Sequence, residues 1–309
     1  MREALEELLE RYNEKIIGQH ENLSYLLTTI LAGGHVLIEG VPGTGKTQMV
    51  KTLATLVGGS FNRIQFTPDL LPSDITGSKI FNMKDSAFET LKGPVFTNVL
   101  LADEINRTPA KTQAALLEAM EEKQVTIQGE TFQLSDLFFV AATQNPIEYE
   151  GTYPLPEAQQ DRFMMKLIVD FPDLEAETTV LSNVLEDALT TEEPKAIFTE
   201  ESLEEAKQAV REVVIKEAVK QYIVEIVRKT REQEAVQYGA STRAAIAIAK
   251  TSQAWAYLAG RDYVTPEDVK NVVRPCLRHR IILSPYAEVE GTKLDHIIGS
   301  IVGTVPVQR

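Results

Sequence analysis

Residues 35–47 read HVLIEGVPGTGKT, and the reading of this stretch decides the fold. The run HVLI (35–38) is short and apolar, as expected of a strand covered on both faces. It leads into GVPGTGKT (40–47), which fits G-x-x-x-x-G-K-[ST], and a helix is expected from about Gly45 through Val57. Without Cβ atoms the loop glycines can take positive φ and let the main chain approach a ligand closely. Successive N–H groups then converge on a phosphate, backed by the positive end of the helix dipole. Lys46 can reach the outer phosphates, and the Thr47 hydroxyl is placed to ligate Mg²⁺. A glycine-rich turn that binds nothing does not account for all eight positions falling in a strand–loop–helix context. The loop is therefore read as a cradle for a nucleoside triphosphate.

Around this loop the chain is ordinary for a globular protein. Its 309 residues are 43% hydrophobic and 25% charged, a length that suits about two domains. No apolar run approaches the ~20 residues that would span a bilayer. The N-terminal MREALEELLERYNEK is acidic and amphipathic, which is not the pattern of a signal peptide. The single cysteine, Cys276, excludes an intramolecular disulfide and suits a reducing, cytoplasmic setting. A net charge of −14 disfavours a broad nucleic-acid surface, which needs clustered Lys and Arg, though it leaves room for a local basic pore.

Ahead of the loop, residues 1–15 read as a helix. A second helix carries Leu23, Leu26, Leu27, Ile30 and Leu31 and ends at Gly33-Gly34. After it, RIQF (63–66) is a second strand. Pro68, Pro72, Gly77, Gly93 and Pro94 break up the next stretch, where a helical turn at 71–75 and a hairpin from 78–81 and 87–92 would fit. NVLLAD (98–103) is a buried strand, and Thr108-Pro109 reads as N-cap and first residue of the following helix. Residues 124–134 alternate around Gln128-Gly129 as a hairpin. DLFFVAAT (136–143) and 164–169 complete five buried strands. Strands alternating with helices imply a parallel, doubly wound α/β sheet. Past Phe171 the signal is helical, near 174–188, 200–214, 216–235, 241–259, 265–279 and 292–302, with no strand of comparable length. The expected organisation is an α/β core over 1–171 and an all-helical domain over 172–309.

A phosphate loop alone does not separate a kinase, a switch GTPase and a motor ATPase. Hydrolysis also needs a metal, an activated water and positive charge at the transferring phosphoryl group. Asp103 closes a buried strand where it could hold the Mg²⁺ shell, and Glu104 beside it could polarise the attacking water. The rival reading of the pair is a solvated strand end. Asn145, leaving the next strand, could orient that water, or could simply form a turn with Pro146. Arg162 is not assigned by spacing and on residues alone reads as a surface ion pair. His20, His35, His279 and His296 lack metal-ligand spacing, and Cys276, Trp255 and Tyr257 read as packing. The acidic run at 200–205 reads as a solvated helix start.

Taken together, the loop at 40–47, the Asp103-Glu104 pair, ATQNP (142–146) and AQQDRF (158–163) resemble an AAA+ ATPase. More narrowly, RIQFTPDLLPSDITG (63–77), DEINRTPAKTQAALLEAMEE (103–122), ATQNPIEYEGTYPLPEAQQDRF (142–163) and GASTRA (239–244) resemble the MoxR family over nearly the whole chain. The resemblance implies a P-loop NTPase core of five parallel strands with a smaller helical lid. Gly40, Pro42, Gly43, Thr44, Gly45, Lys46 and Thr47 match Walker A, and Asp103 and Glu104 match Walker B, with Glu104 as base. Asn145 matches sensor 1, and Arg162 matches an arginine finger acting on the neighbouring subunit's nucleotide. Arg243 matches sensor 2, acting from the lid in cis, and Ile17-Gly18-Gln19 matches the segment lining the adenine pocket. Residues 68–94 would hold the helix-2 insert and 124–134 the pre-sensor-1 hairpin. Where the family usually has proline, this chain has Thr242 after the Ser241 N-cap, a position threonine tolerates.

The expected activity is ATP hydrolysis with Mg²⁺ by a ring, a hexamer by family habit. It would serve chaperone-like remodelling of a client beside a partner with a von Willebrand factor A domain. The alternatives are a chelatase-like subunit driving metal insertion, a nucleic-acid motor, and a nucleotide-sensing scaffold without turnover.

Overall fold

The computed structural model describes residues 2–84, 86–146, 151–185 and 194–307. Two helices, α1 (Arg2–Lys15) and α2 (His20–Leu31), precede β1 (Val36–Glu39) and the phosphate-loop helix α3 (Lys46–Leu56). Then come β2 (Phe61–Gln65), the short α4 (Pro72–Thr76) and a hairpin of β3 (Gly77–Asn82) and β4 (Ala87–Lys92). β5 (Val99–Asp103), α5 (Ala110–Glu122), a second hairpin of β6 (Gln124–Ile127) and β7 (Glu130–Gln133), β8 (Phe139–Gln144), α6 (Glu157–Gln160) and β9 (Met165–Ile168) complete the α/β part. The rest is α7 (Leu174–Leu185), α8 (Glu200–Glu212), α9 (Glu217–Thr230), β10 (Val236–Tyr238), α10 (Thr242–Leu258), α11 (Pro266–Leu277), β11 (Ile282–Leu283), α12 (Pro285–Val289) and α13 (Leu294–Thr304).

The five apolar runs form one parallel sheet in the order β2-β5-β8-β1-β9. β5 is buried at every position, so it needs cover on both faces. Alternation supplies two cores. Val36, Ile38, Leu101 and Phe139 point into a cluster shared with α1, α2, α3 and helices of the second half. Leu37, Leu100, Val140 and Ala142 point into another cluster, with Leu116 and Leu117 of α5. Because β8 is followed in sequence by β9, on the far side of β1, the winding reverses at β1. That places the phosphate loop at the sheet's switch point, where open α/β sheets bind ligands.

The structure differs from the sequence expectation in several places. The strand expected at 63–66 starts two residues earlier, so Arg63 and Gln65 share one face of β2. Asn98 leaves the expected strand at 98–103: its side chain accepts from the Ser60 N–H (2.8 Å) and donates to Glu200 (2.5 Å). Thr108 does not cap α5; its hydroxyl donates to the Thr67 carbonyl (2.8 Å), and Pro109 takes the cap position. The helical half also holds two strands, β10 and β11, paired antiparallel. At three and two residues they are too short to show a period. The 124–134 hairpin turns on Gln128 and Gly129, both at positive φ as a tight hairpin needs. At Thr265-Pro266 the expected cap, proline and reciprocal Asp268 bond are all present.

His35 sets a pH limit on this fold. It is buried, its Nδ1 accepts from the Val140 N–H (3.0 Å), and its Nε2 therefore carries the proton facing the Met120 carbonyl (3.2 Å). Burial lowers its pKa from 6.5 to about 4. The folded state keeps the ring neutral while the unfolded chain takes a proton near pH 6.5. The stabilisation is therefore complete above pH 6.5 and fades as pH falls towards 4, a loss of about 3 kcal/mol. Denaturant midpoints measured from pH 7 to 4 should fall for the wild type and fall less steeply for His35→Gln. Some slope should remain, because His279 is buried on the Phe163 carbonyl (2.8 Å) and is likewise held neutral.

Candidate active site

The loop's geometry follows from its glycines. Gly43 and Gly45 sit at φ 84° and 79°, and a Cβ on either would meet nothing within 4 Å. The main chain there faces open space. Gly40 is needed for the opposite reason: its Cβ would fall 2.4 Å from the Val169 carbonyl oxygen beyond β9. α3 begins with no side-chain cap, so its first N–H groups are left for a ligand. Lys46 Nζ donates to the carbonyls of Gly40 (2.9 Å) and Val41 (2.6 Å), lying back along its own loop. Burial lowers its pKa, and the carboxylates of Asp103 and Glu104 act in the opposite direction.

At the carboxyl end of β5, Asp103 is bonded on both oxygens. Oδ1 accepts from the Thr143 hydroxyl (2.5 Å) and Oδ2 from Arg63 Nη2 (2.6 Å) and Nε (3.1 Å). Glu104 is left-handed (φ 56°, ψ 49°), a conformation costly for a residue with a Cβ. Its N–H donates to Thr143 Oγ1 (2.8 Å). The Glu104 carboxylate accepts from Gln65 Nε2 (2.7 Å) and Arg107 Nη1 (3.1 Å). Asn145 is buried just beyond β8.

One cleft of about 480 Å³ brings together all seven predicted loop residues with Asp103, Glu104 and Asn145. Arg63, Gln48 and Thr143 line it too and were missed in the sequence. No sequence signal marks Arg63: it reaches Asp103 only because β2 pairs with β5, where Arg63 stands against Leu101 in the register. The cleft fits Mg²⁺ with a triphosphate: the Thr47 hydroxyl and the Asp103 carboxylate are hard oxygen donors suited to that ion. Among the described residues no group of three or more His, Cys, Asp or Glu could hold a metal. Phosphate and water oxygens would have to complete the shell.

Arg162 and Arg243 are elsewhere. Both reach Glu121 at the end of α5, Arg162 Nη2 at 3.2 Å and Arg243 Nη2 at 3.5 Å. Together they line a separate cleft of about 300 Å³ with Asp161, Lys123, Lys250 and Arg280. Arg243, expected to act in cis on the loop's own nucleotide, lines this second cleft and not the one that holds Lys46. Ser241 caps α10 (Arg243 N–H to Ser241 Oγ, 3.2 Å), so Thr242 in place of proline leaves the helix start intact, but this start faces the Arg162 cleft. The Ile17-Gly18-Gln19 segment packs near the residues after β9. A Cβ on Gly18 would meet Ala176 and Pro172, and Gln19 Nε2 donates to the Asp170 carbonyl (3.3 Å). It thus lies beside the strand end that abuts Gly40.

A P-loop sheet with an acid pair and sensor-like Asn145 on its carboxyl edge, followed by a helical lid, defines an AAA+ ATPase. The family profile described as the ATPase family associated with various cellular activities matches residues 35–165, and one for the AAA lid domain matches 228–301. The chain is 42% identical to the protein named Chaperone MoxR1 of Mycobacterium tuberculosis, over 99% of this chain and 83% of that one. It is 49% identical to the uncharacterised YeaC of Bacillus subtilis, over 97% and 94% of the two. A crystal structure of a candidate ATPase from Cytophaga hutchinsonii superposes with a TM-score of 0.92 at 45% identity, covering 100% of this chain and 96% of that one. The chain belongs to the MoxR family of AAA+ ATPases.

Proposed function

We propose that this protein hydrolyses ATP with Mg²⁺ at sites completed by a neighbouring copy in a ring, and that the cycle drives chaperone-like remodelling of a client. The observation that carries the reading is the separation of the two clefts. Lys46, Thr47, Asp103, Glu104 and Asn145 share one, while Arg162 and Arg243 share another and converge on the same carboxylate. In this reading Lys46 leaves its loop carbonyls for the outer phosphates, Thr47 and Asp103 hold Mg²⁺, and Glu104 takes a proton from the water that Asn145 orients. The metal, when bound, neutralises charge on the transferring phosphoryl group. Because Arg243 shares the Arg162 cleft, both guanidiniums would be offered to the neighbour's nucleotide. The chaperone role rests on the family and on the name of the mycobacterial relative. A hexameric ring, a von Willebrand factor A partner, a cytoplasmic setting and the division of the chain at 171/172 are carried over from the sequence reading. No helix among the described residues is long and apolar enough to cross a membrane.

A second reading has its own support: Arg63 lines the loop's cleft, so one subunit could supply its own arginine. Phosphate release at fixed excess Mg·ATP and rising protein concentration separates the two. Specific activity should rise steeply with concentration if the site forms between copies. Constant specific activity down to the monomer favours Arg63. No phosphate release at any concentration removes both.

A further inference from the structure

The side chain of Arg280, just past α11, is 4% exposed, and all five of its N–H donors are used. Nε donates to Asp161 Oδ1 (2.6 Å). Nη2 donates to the main-chain carbonyls of Asp161 (3.2 Å) and Phe163 (2.7 Å). Nη1 donates to the carbonyls of Met164 (3.1 Å) and Cys276 (2.6 Å). Four of these bonds hold residues 161, 163 and 164, so they fix the main chain on both sides of Arg162. The fifth anchors the guanidinium in the last turn of its own helix. Next to it, His279 takes a second hold on the Phe163 carbonyl (2.8 Å). Arg162 thus leaves a clamped segment with only its side chain free to turn, and that side chain rests on Glu121.

We propose that Arg280 is a positioning residue for Arg162. It sets the direction in which the finger guanidinium is presented to the neighbouring subunit, and it ties that direction to α11 of the same chain. The inference rests on the reading of Arg162 as a finger. A fork with five donors on three sides suits four carbonyls and a carboxylate, whereas an ammonium with three donors on a flexible stem cannot satisfy them all. A shift of α11 against the sheet would move residues 161–164 with it. The lid of one subunit is therefore linked mechanically to catalysis in the next.

The test is Arg280→Lys in the full chain, alone and combined with Arg162→Ala, read by kcat, by the Kd for ATP and by thermal melting. Misplacement of the finger by about 1 Å should cost on the order of 100-fold in kcat. The Kd for ATP should stay near the wild-type value, because the loop cleft is untouched. In the Arg162→Ala background, where no finger remains to be aimed, Arg280→Lys should leave the residual single-turnover rate unchanged. Wild-type kcat in Arg280→Lys overturns the proposal. So does an equal loss in both backgrounds, which is what a purely structural role produces. Should Arg280→Lys fail to fold, Asp161→Asn keeps the carbonyl contacts and should show a smaller loss with the same dependence on Arg162; full activity there overturns the proposal as well. Near-normal turnover of Arg162→Ala itself would remove the finger reading first, independently of Arg280.

Discussion

Arg162→Ala should stop turnover and leave ATP bound. A trans arginine contributes ~10³–10⁵ in rate in related phosphoryl transfers, because it meets charge that develops in the transition state and is weaker before it. In this chain Arg162 lies on Glu121 in a cleft away from Lys46, so its loss does not touch the residues that grip the ground-state nucleotide. The expected pattern is a kcat lowered by those orders of magnitude with an equilibrium Kd for ATP close to wild type. Mixing the variant with Glu104→Gln should restore part of the rate, since each supplies what the other lacks across a subunit boundary. A variant that retains near-normal kcat, or a mixture that stays inactive, counts against the shared site.

Glu104→Gln should bind ATP and fail to cleave it. The amide keeps the shape of the side chain but cannot accept a proton from water, and loss of a positioned base costs typically ~10²–10⁴-fold. The backbone at Glu104 is held through its N–H on Thr143 and does not depend on the carboxylate, so the cleft should keep its form. Gln65 and Arg107, which now donate to the carboxylate, would meet an amide oxygen instead. Phosphate release measures the loss, and equilibrium binding of ATP measures what is kept. Wild-type turnover would take the role of base away from Glu104. Retained in the ATP state, this variant is also the reagent for capturing the client.

Much of this was legible in the chain itself. The sheet, its five strands and the identity of the loop followed from apolar runs and the spacing of Gly40, Gly45, Lys46 and Thr47, which are local patterns. Asp103 and Glu104 were legible because a buried run ends on them. Arg63 and Thr143 were not, because their relevance comes from β2 and β8 lying on either side of β5. β10 and β11 escaped notice for a different reason: two or three residues do not make a period.

Sequence by itself determined that this is a P-loop ATPase of the MoxR family, since phosphate recognition is built from neighbours in the chain and reads as a motif. Where the two arginines lie was decided only in three dimensions. Arg162 and Arg243 are 81 residues apart in the numbering (243 minus 162), and nothing local brings them to one carboxylate. That meeting depends on α10 bringing Arg243 to Glu121 at the end of α5 and on α11 packing against β9, where the fully bonded guanidinium of Arg280 holds the main chain around Arg162.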